Sequence, residues 1–198
     1  MGWYVIFAET GYEDEACFFI NKISASIFYD IKYKFLLPQR KIYERKQGIK
    51  KEVVKKLFPG YIFVETDEIV EFYYRIKGRP HIIRVLRNDI LFHEIELNEI
   101  YQIIYMANDD GVIGISKAFI INERVSVTQG PLMGQEGIIR KLDKRKGRAK
   151  VEFLLNYNKY WIDLGIDILG KYDGIEDPAE FENDLLSRNN REKYKETL

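Results

Sequence analysis

The hydropathy pattern of this chain changes once, near residue 110, and that change limits the fold more than any other feature. Up to residue 106, continuous apolar runs alternate with amphipathic stretches of 3.6-residue period. Trp3-Tyr4-Val5-Ile6-Phe7 is aromatic or β-branched throughout, the composition of a strand buried on both faces, and it ends at Thr10-Gly11. Thr10 and Glu13 form a capping box, with Glu13, Asp14 and Glu15 where a helix dipole favours negative charge. A helix therefore starts near Tyr12, with Ala16, Phe19, Ile20, Ile23 and Ile27 on one face and Cys17 beside it as a packed thiol. Short strands or a hairpin follow at 34–37, 40–44 and 52–57, punctuated by Pro38 and Gly48. Phe58-Pro59-Gly60 is a turn, 61–64 a buried strand, 68–77 a helix, 82–86 a strand, and 97–106 a helix with Ile100, Ile103 and Ile104 inward. This order predicts an α+β sandwich, helices on a mixed or antiparallel sheet, over residues 1–106.

Between 107 and 118 the period stops at Asn108-Asp109-Asp110-Gly111, which predicts a linker. From residue 123 short strands recur at 124–128, 136–142, 148–155, 160–163 and 166–169, divided by Gly130, Pro131, Gly134, Gly137 and Gly147. Five strands at this spacing predict a small five-stranded β-barrel over 119–172, with turns at Gly130 and Gly137. Residues 173–198 are acidic and polar, a tail in which 180–195 is a marginal helix or disordered.

Much chemistry is excluded. One cysteine, Cys17, permits no internal disulfide, and with only His81 and His93 beside it no zinc or other metal site is expected. Phosphate-binding glycine loops, H-E-x-x-H and G-x-S-x-G are missing, so neither an enzyme nor a cofactor is expected. No apolar run reaches the roughly 18 residues of a membrane helix, and the first residues lack the features of a signal peptide. The expectation is a cytoplasmic monomer without membrane contact.

Two signals remain. The formal net charge is zero, 31 basic against 31 acidic residues, yet seven of the eleven residues from 140 to 150 are basic and one is acidic. Arg140, Lys141, Lys144, Arg145, Lys146, Arg148 and Lys150 crowd one hairpin, with Ala149, Val151 and Phe153 inward and Arg148 and Lys150 outward. A solvated edge guarded by lysine needs only one or two charges, so nucleic-acid binding is the favoured reading. A second basic stretch, eight basic and two acidic residues from Arg40 to Lys56, reads as an exposed hairpin tip. The other signal is a set of aromatics where strands and loops meet: Trp3, Tyr4, Tyr12, Phe58 and Tyr61. Trp3 and Tyr61 read equally as core or contact residues. Phe58, before Pro59-Gly60, is expected to be exposed and to mark a protein-partner surface.

The opening Trp3-Tyr4-Val5, then Gly11-Tyr12-Glu13, the run from Lys56 to Val64 containing Phe58-Pro59-Gly60-Tyr61, and Val125 to Pro131 with Gly137 resemble the NusG-type transcription elongation factors over residues 3 to 170. The resemblance implies an N-terminal NGN domain that binds the clamp helices of RNA polymerase through Phe58, Pro59, Tyr61, Trp3, Tyr4 and Tyr12. It also implies a C-terminal KOW barrel. The basic hairpin and the tail depart from housekeeping members and are similar to the LoaP subgroup, antiterminators that read a nascent RNA hairpin. The leading expectation is therefore an antiterminator holding polymerase and RNA at once, with other elongation factors as further partners. The alternatives are a general elongation and termination factor whose barrel binds proteins, and a stand-alone RNA-binding module.

Overall fold

The structure, a computed structural model, describes residues 1–88, 91–175, 177 and 179–184, the side chains of 24–27 excepted. In chain order the elements are β1 (Gly2–Ala8), α1 (Glu13–Ile27), β2 (Tyr33–Leu36), β3 (Gln39–Lys46), β4 (Ile49–Lys56), β5 (Tyr61–Thr66), α2 (Ile69–Ile76) and β6 (Ile82–Val85). They continue with α3 (Leu97–Met106), β7 (Val112–Ile113), β8 (Ser116–Ile121), β9 (Arg124–Gln129), a 3-10 turn (Glu136–Ile138), β10 (Ile139–Asp143), β11 (Arg148–Leu155) and β12 (Asn158–Tyr172). Residues 179–184 are helical, and the rest of the expected tail helix, 185–195, lies outside the described residues. No helix among the described residues is long and apolar enough to cross a membrane.

Met1–Arg40, Val54–Ile113 and Phe153–Tyr160 form one compact unit. Its centre is a four-stranded sheet in the order β2-β5-β1-β6, antiparallel at each junction. The register Tyr4↔Val64 and Ile6↔Ile62 puts Tyr4, Ile6, Ala8, Ile62 and Val64 on one face. That face meets Ala16, Cys17 and Ile20 of α1 and Ile69, Phe72, Tyr73 and Ile76 of α2 in one apolar core. Trp3, Val5, Phe7, Tyr61 and Phe63 take the opposite face, as the two-residue alternation requires. Cys17 is buried there as the expected packed thiol, and burial pushes its pKa up to about 12. On α3 the inward residues are Glu99, Ile100, Ile103 and Met106. Ile104, expected inward, is exposed, because the buried face is rotated to carry the Glu99 carboxylate.

Lys41–Val53, Gly114–Glu152 and the described residues from Trp161 onward form the second unit. Residues 107–118, expected as a linker, hold β7 and the start of β8. Strands order as β10-β11-β12-β8-β9, with β8 parallel to β12 and antiparallel to β9. Five strands are present, but they are not the five expected, because 160–163 and 166–169 are a single strand, β12, and β8 supplies the fifth. Gly165 within β12 did not break it: a Cβ there would lie 2.6 Å from the Lys41 carbonyl, so this glycine permits close backbone approach within the strand. β10 and β9 stand at the two ends of this strand order. The 3-10 turn before β10 replaces part of the predicted strand, and it is the Glu136 carboxylate that accepts the Val127 N–H of β9, at 3.1 Å.

Candidate functional site

Each unit holds one of the two surfaces expected from sequence. In the first, the turn between β4 and β5 is built on a buried carboxylate. Glu13, at the start of α1, is 1 % exposed and accepts the Gly60 N–H at 2.6 Å and the Gly11 N–H at 3.0 Å. Burial alone would raise its pKa, but these backbone donors outweigh it and hold the carboxyl below its ordinary value. The sequence motif read as a capping box thus acts across the chain, tying the helix start to the Phe58-Pro59-Gly60 turn.

Phe58, expected to be exposed, is 4 % exposed. The cause is an aromatic cluster: its ring lies 5.8 Å from Phe63, 6.0 Å from Phe153 and 5.5 Å from Tyr160, centroid to centroid. Phe153 and Tyr160 bound the tip of the β11–β12 hairpin, which belongs to the same unit. Glu99 pins that tip by accepting the Asn156 N–H at 2.7 Å and the Tyr157 N–H at 3.2 Å, at two residues with left-handed backbone. Tyr61 is half-buried and shares a 3.3 Å hydrogen bond with the Tyr160 hydroxyl; burial, then that bond, pushes its own hydroxyl up to about 12. Trp3 and Tyr4 are both buried and point to opposite faces of the sheet. Tyr4 is helix-side core. Pro59 and Tyr12 are exposed, with Tyr12 stacked on His81 at 4.4 Å.

In the second unit the basic hairpin has the expected facing. Ala149 and Val151 are buried, while Arg148 and Lys150 look outward. The ladder pairs Asp143 with Arg148 and sets Lys141 directly opposite Lys150. Like charges at directly opposed positions destabilise a sheet, so this pair is present despite its local cost. The turn is closed by the Lys146 N–H donating to Asp143 at 2.9 Å and leaves Lys144, Arg145 and Lys146 exposed. Gly147 has φ +63°, and a Cβ on it would lie 3.0 Å from the Tyr43 ring and 3.1 Å from the Ile166 carbonyl, so a side chain there would be strained and crowded. Gly130 is equally constrained, at φ +97° with Ser116 Cα 2.8 Å from where a Cβ would be, whereas Gly137 has open space around it and offers its carbonyl to Arg140 at 3.2 Å.

Sequence reasoning did not connect the β3–β4 tip to this hairpin, and the structure does. Arg148 donates to the Tyr43 carbonyl at 3.1 Å and lies 3.5 Å from Asp163. The Tyr43 hydroxyl donates to Asp167 at 2.6 Å, and burial, then that bond, raises its pKa. Lys50 sits 3.4 Å over the Tyr43 ring and 3.1 Å from Asp167. Together Tyr43, Glu44, Arg45, Lys50, Arg145, Lys146 and Arg148 line a groove of about 360 Å³ with basic walls. The excess of positive charge from Arg40 to Lys56 was visible in the sequence, but nothing local linked it to residues a hundred positions later. Among the described residues no cluster of three His, Cys, Asp or Glu is placed to hold a metal ion.

The family described as "Transcription termination factor nusG" matches residues 1–104. The transcription termination/antitermination protein NusG of Thermus thermophilus is 28% identical over 162 residues, 75% of this chain and 86% of its own. That of Rickettsia prowazekii is 26% identical over 173 residues, 86% and 90% of the two chains, and that of Bacillus subtilis 27% over 158, 75% and 86%. A solved structure titled "Domain interaction in Thermotoga maritima NusG" shares the fold, with a TM-score of 0.50 and 19% identity over 83% of this chain and 93% of that one. On the match to more than half its length, the chain belongs to the NusG family of non-enzymatic transcription termination/antitermination factors.

Proposed function

We propose that this chain is a specialised antiterminator of the LoaP type, a cytoplasmic monomer that holds the clamp helices of RNA polymerase with its first unit and a nascent RNA hairpin with its second. The observation that supports this most is the Lys141↔Lys150 pair, whose like charges oppose each other in a ladder that also carries Arg148 beside a groove lined by Arg45, Lys50, Arg145 and Lys146. Cations placed against one another at a cost to the fold are best accounted for by an anionic ligand. In this reading Lys144, Arg145 and Lys146 meet phosphates, and the groove extends the footprint onto the β3–β4 tip. Polymerase binding thus falls to the first unit, and RNA binding to the second, in which residues 41–53 join most of the 119–172 segment expected from sequence; other elongation factors join at the polymerase.

Pro59 and Tyr12 are the accessible members of the polymerase surface. Phe58 and Tyr61 join them once Phe153 and Tyr160 move off. Two linked contacts raise effective concentration, so operon-selective recruitment does not require either to be tight alone.

The test is binding of the full chain to a leader RNA hairpin and to a scrambled duplex of equal length across a salt series. Affinity for the hairpin should fall steeply with salt, because each neutralised phosphate releases counterions. Arg145→Ala should narrow the difference between the two RNAs, and Lys144→Ala should weaken both about equally. Absence of RNA binding at about 50 mM salt would return the protein to the alternative, a general elongation and termination factor whose second unit binds proteins.

A further inference from the structure

Trp161 is 64 % exposed, while the protein's other tryptophan, Trp3, is 5 % exposed. An indole left in water on a strand is unusual enough to need a reason, and its surroundings supply one. Its neighbours Ile162, Leu164 and Ile166 are buried, so Trp161 and Asp163 occupy the outer face of β12. This is the face on which Arg148 meets Asp163. The indole N–H donates to Glu152 at 3.2 Å, and the same carboxylate receives Arg140 Nε at 3.3 Å and Nη2 at 3.2 Å. One carboxylate therefore orients a planar aromatic group and a planar guanidinium on the same face and offsets its own charge in doing so. Arg148 and Glu152 are four residues apart on β11, about 13 Å, so the tryptophan stands within one short strand-length of the basic groove.

We propose that Trp161 is a stacking platform for an unpaired base of the RNA, held in orientation by Glu152 and flanked by Arg140. This deepens the RNA-binding reading given above and rests on it. A duplex conceals its bases in a deep, narrow major groove, whereas loops and bulges present free π-faces that stack on aromatic and guanidinium planes. The cations of the hairpin recognise backbone, which every RNA shares. The tryptophan distinguishes RNA that has an unpaired base at the right distance from RNA that has none.

The experiment follows tryptophan fluorescence of the full chain during titration with a stem-loop RNA bearing a purine loop, and with a blunt duplex of the same stem sequence. The stem-loop should quench the exposed Trp161 and the duplex should not. Trp161→Ala should weaken stem-loop binding about 5- to 100-fold and leave duplex binding unchanged, while Trp161→Phe retains most of the affinity. Because the side chain is exposed, both variants should melt with the wild type. Equal stem-loop affinity for wild type and Trp161→Ala, without quenching, while Lys144→Ala still weakens binding, would overturn the platform and leave the RNA reading standing. Failure of the wild type to bind either RNA would overturn the RNA reading itself, and the platform with it.

Discussion

Around Phe58 the chain closes over its aromatic groups, whereas around Lys144 it leaves its cations in water. The Phe58-Pro59-Gly60 turn is held from within by Glu13 and covered by Phe153 and Tyr160. The turn from Asp143 to Arg148 is held by the Lys146 N–H donating to the Asp143 carboxylate, by the Gly147 N–H donating to the Lys144 carbonyl, and by ion pairs at the surface. The difference follows from solvation. Exposed apolar rings lose about 25 cal/mol per Å2 of apolar surface left in water, so the chain's own hairpin covers them. Exposed lysine and arginine are already solvated, and burying them would cost several kcal/mol each. The Phe58 ring therefore has to be uncovered before a partner can touch it, whereas the cations of the Asp143–Arg148 turn stand in water already.

The strongest way to break the contrast is Phe58→Ala. Because the ring is buried among four aromatics, truncation should destabilise the first unit by about 3–5 kcal/mol, read as a lower urea midpoint, so it is not a clean probe of partner binding. Lys144→Ala, on the solvated side, should leave the midpoint within about 0.5 kcal/mol of wild type. Similar losses for the two variants would dissolve the distinction.

A smaller effect is expected at the carboxylate beneath the turn. Glu13→Gln should cost about 1–3 kcal/mol, since an amide cannot satisfy both backbone donors as well as a carboxylate does. The folded-state pKa of Glu13 lies below its ordinary value of 4.5, so an unfolded chain takes up this proton first as pH falls. Its contribution is complete above about pH 4.5 and is lost as pH drops through the lower folded value. Urea midpoints measured from pH 7 downward should show that acid loss in the wild type and less of it in the glutamine variant.

Glu99→Gln addresses the cover itself. Loosening Asn156 and Tyr157 should free the β11–β12 tip from Phe58, at a cost near 1–2 kcal/mol. Amide exchange at residues 153–160 should quicken, and binding to polymerase clamp helices should strengthen if the covered ring is the contact. The smallest effect sharpens the charged side. Lys141→Thr relieves the repulsion with Lys150 and should stabilise the second unit by about 0.2–1 kcal/mol while weakening RNA binding. A variant that loses both stability and RNA affinity would show that the lysine serves the fold.

Periodicity and composition located most elements. The buried run at Trp3–Phe7, the helix after Thr10 and the outward cations of β11 all lie where local pattern put them. Local pattern and structure differ where a distant segment decides the outcome. Strands expected separately at 160–163 and 166–169 are one strand, and Gly165 between them is a point of close approach to the Lys41 carbonyl. Residues 116–118, read as linker, and 119–121, assigned to no strand, form the inner strand β8 by pairing with β12. Ile104 gave up the buried face to Glu99, whose partners are two backbone amides more than fifty residues away.

The sequence by itself determined the family, the α+β order of the first unit, the strand-rich second unit and the sign and place of its charge, because each is written in short-range pattern. Only the tertiary structure decided that Phe58 is covered, that Tyr43 and Lys50 stand beside Arg148, and that Glu152 holds the Trp161 indole beside Arg140. Those facts depend on contacts between residues far apart in the chain. Such contacts follow from which side chains remain to satisfy one another once the strands have paired.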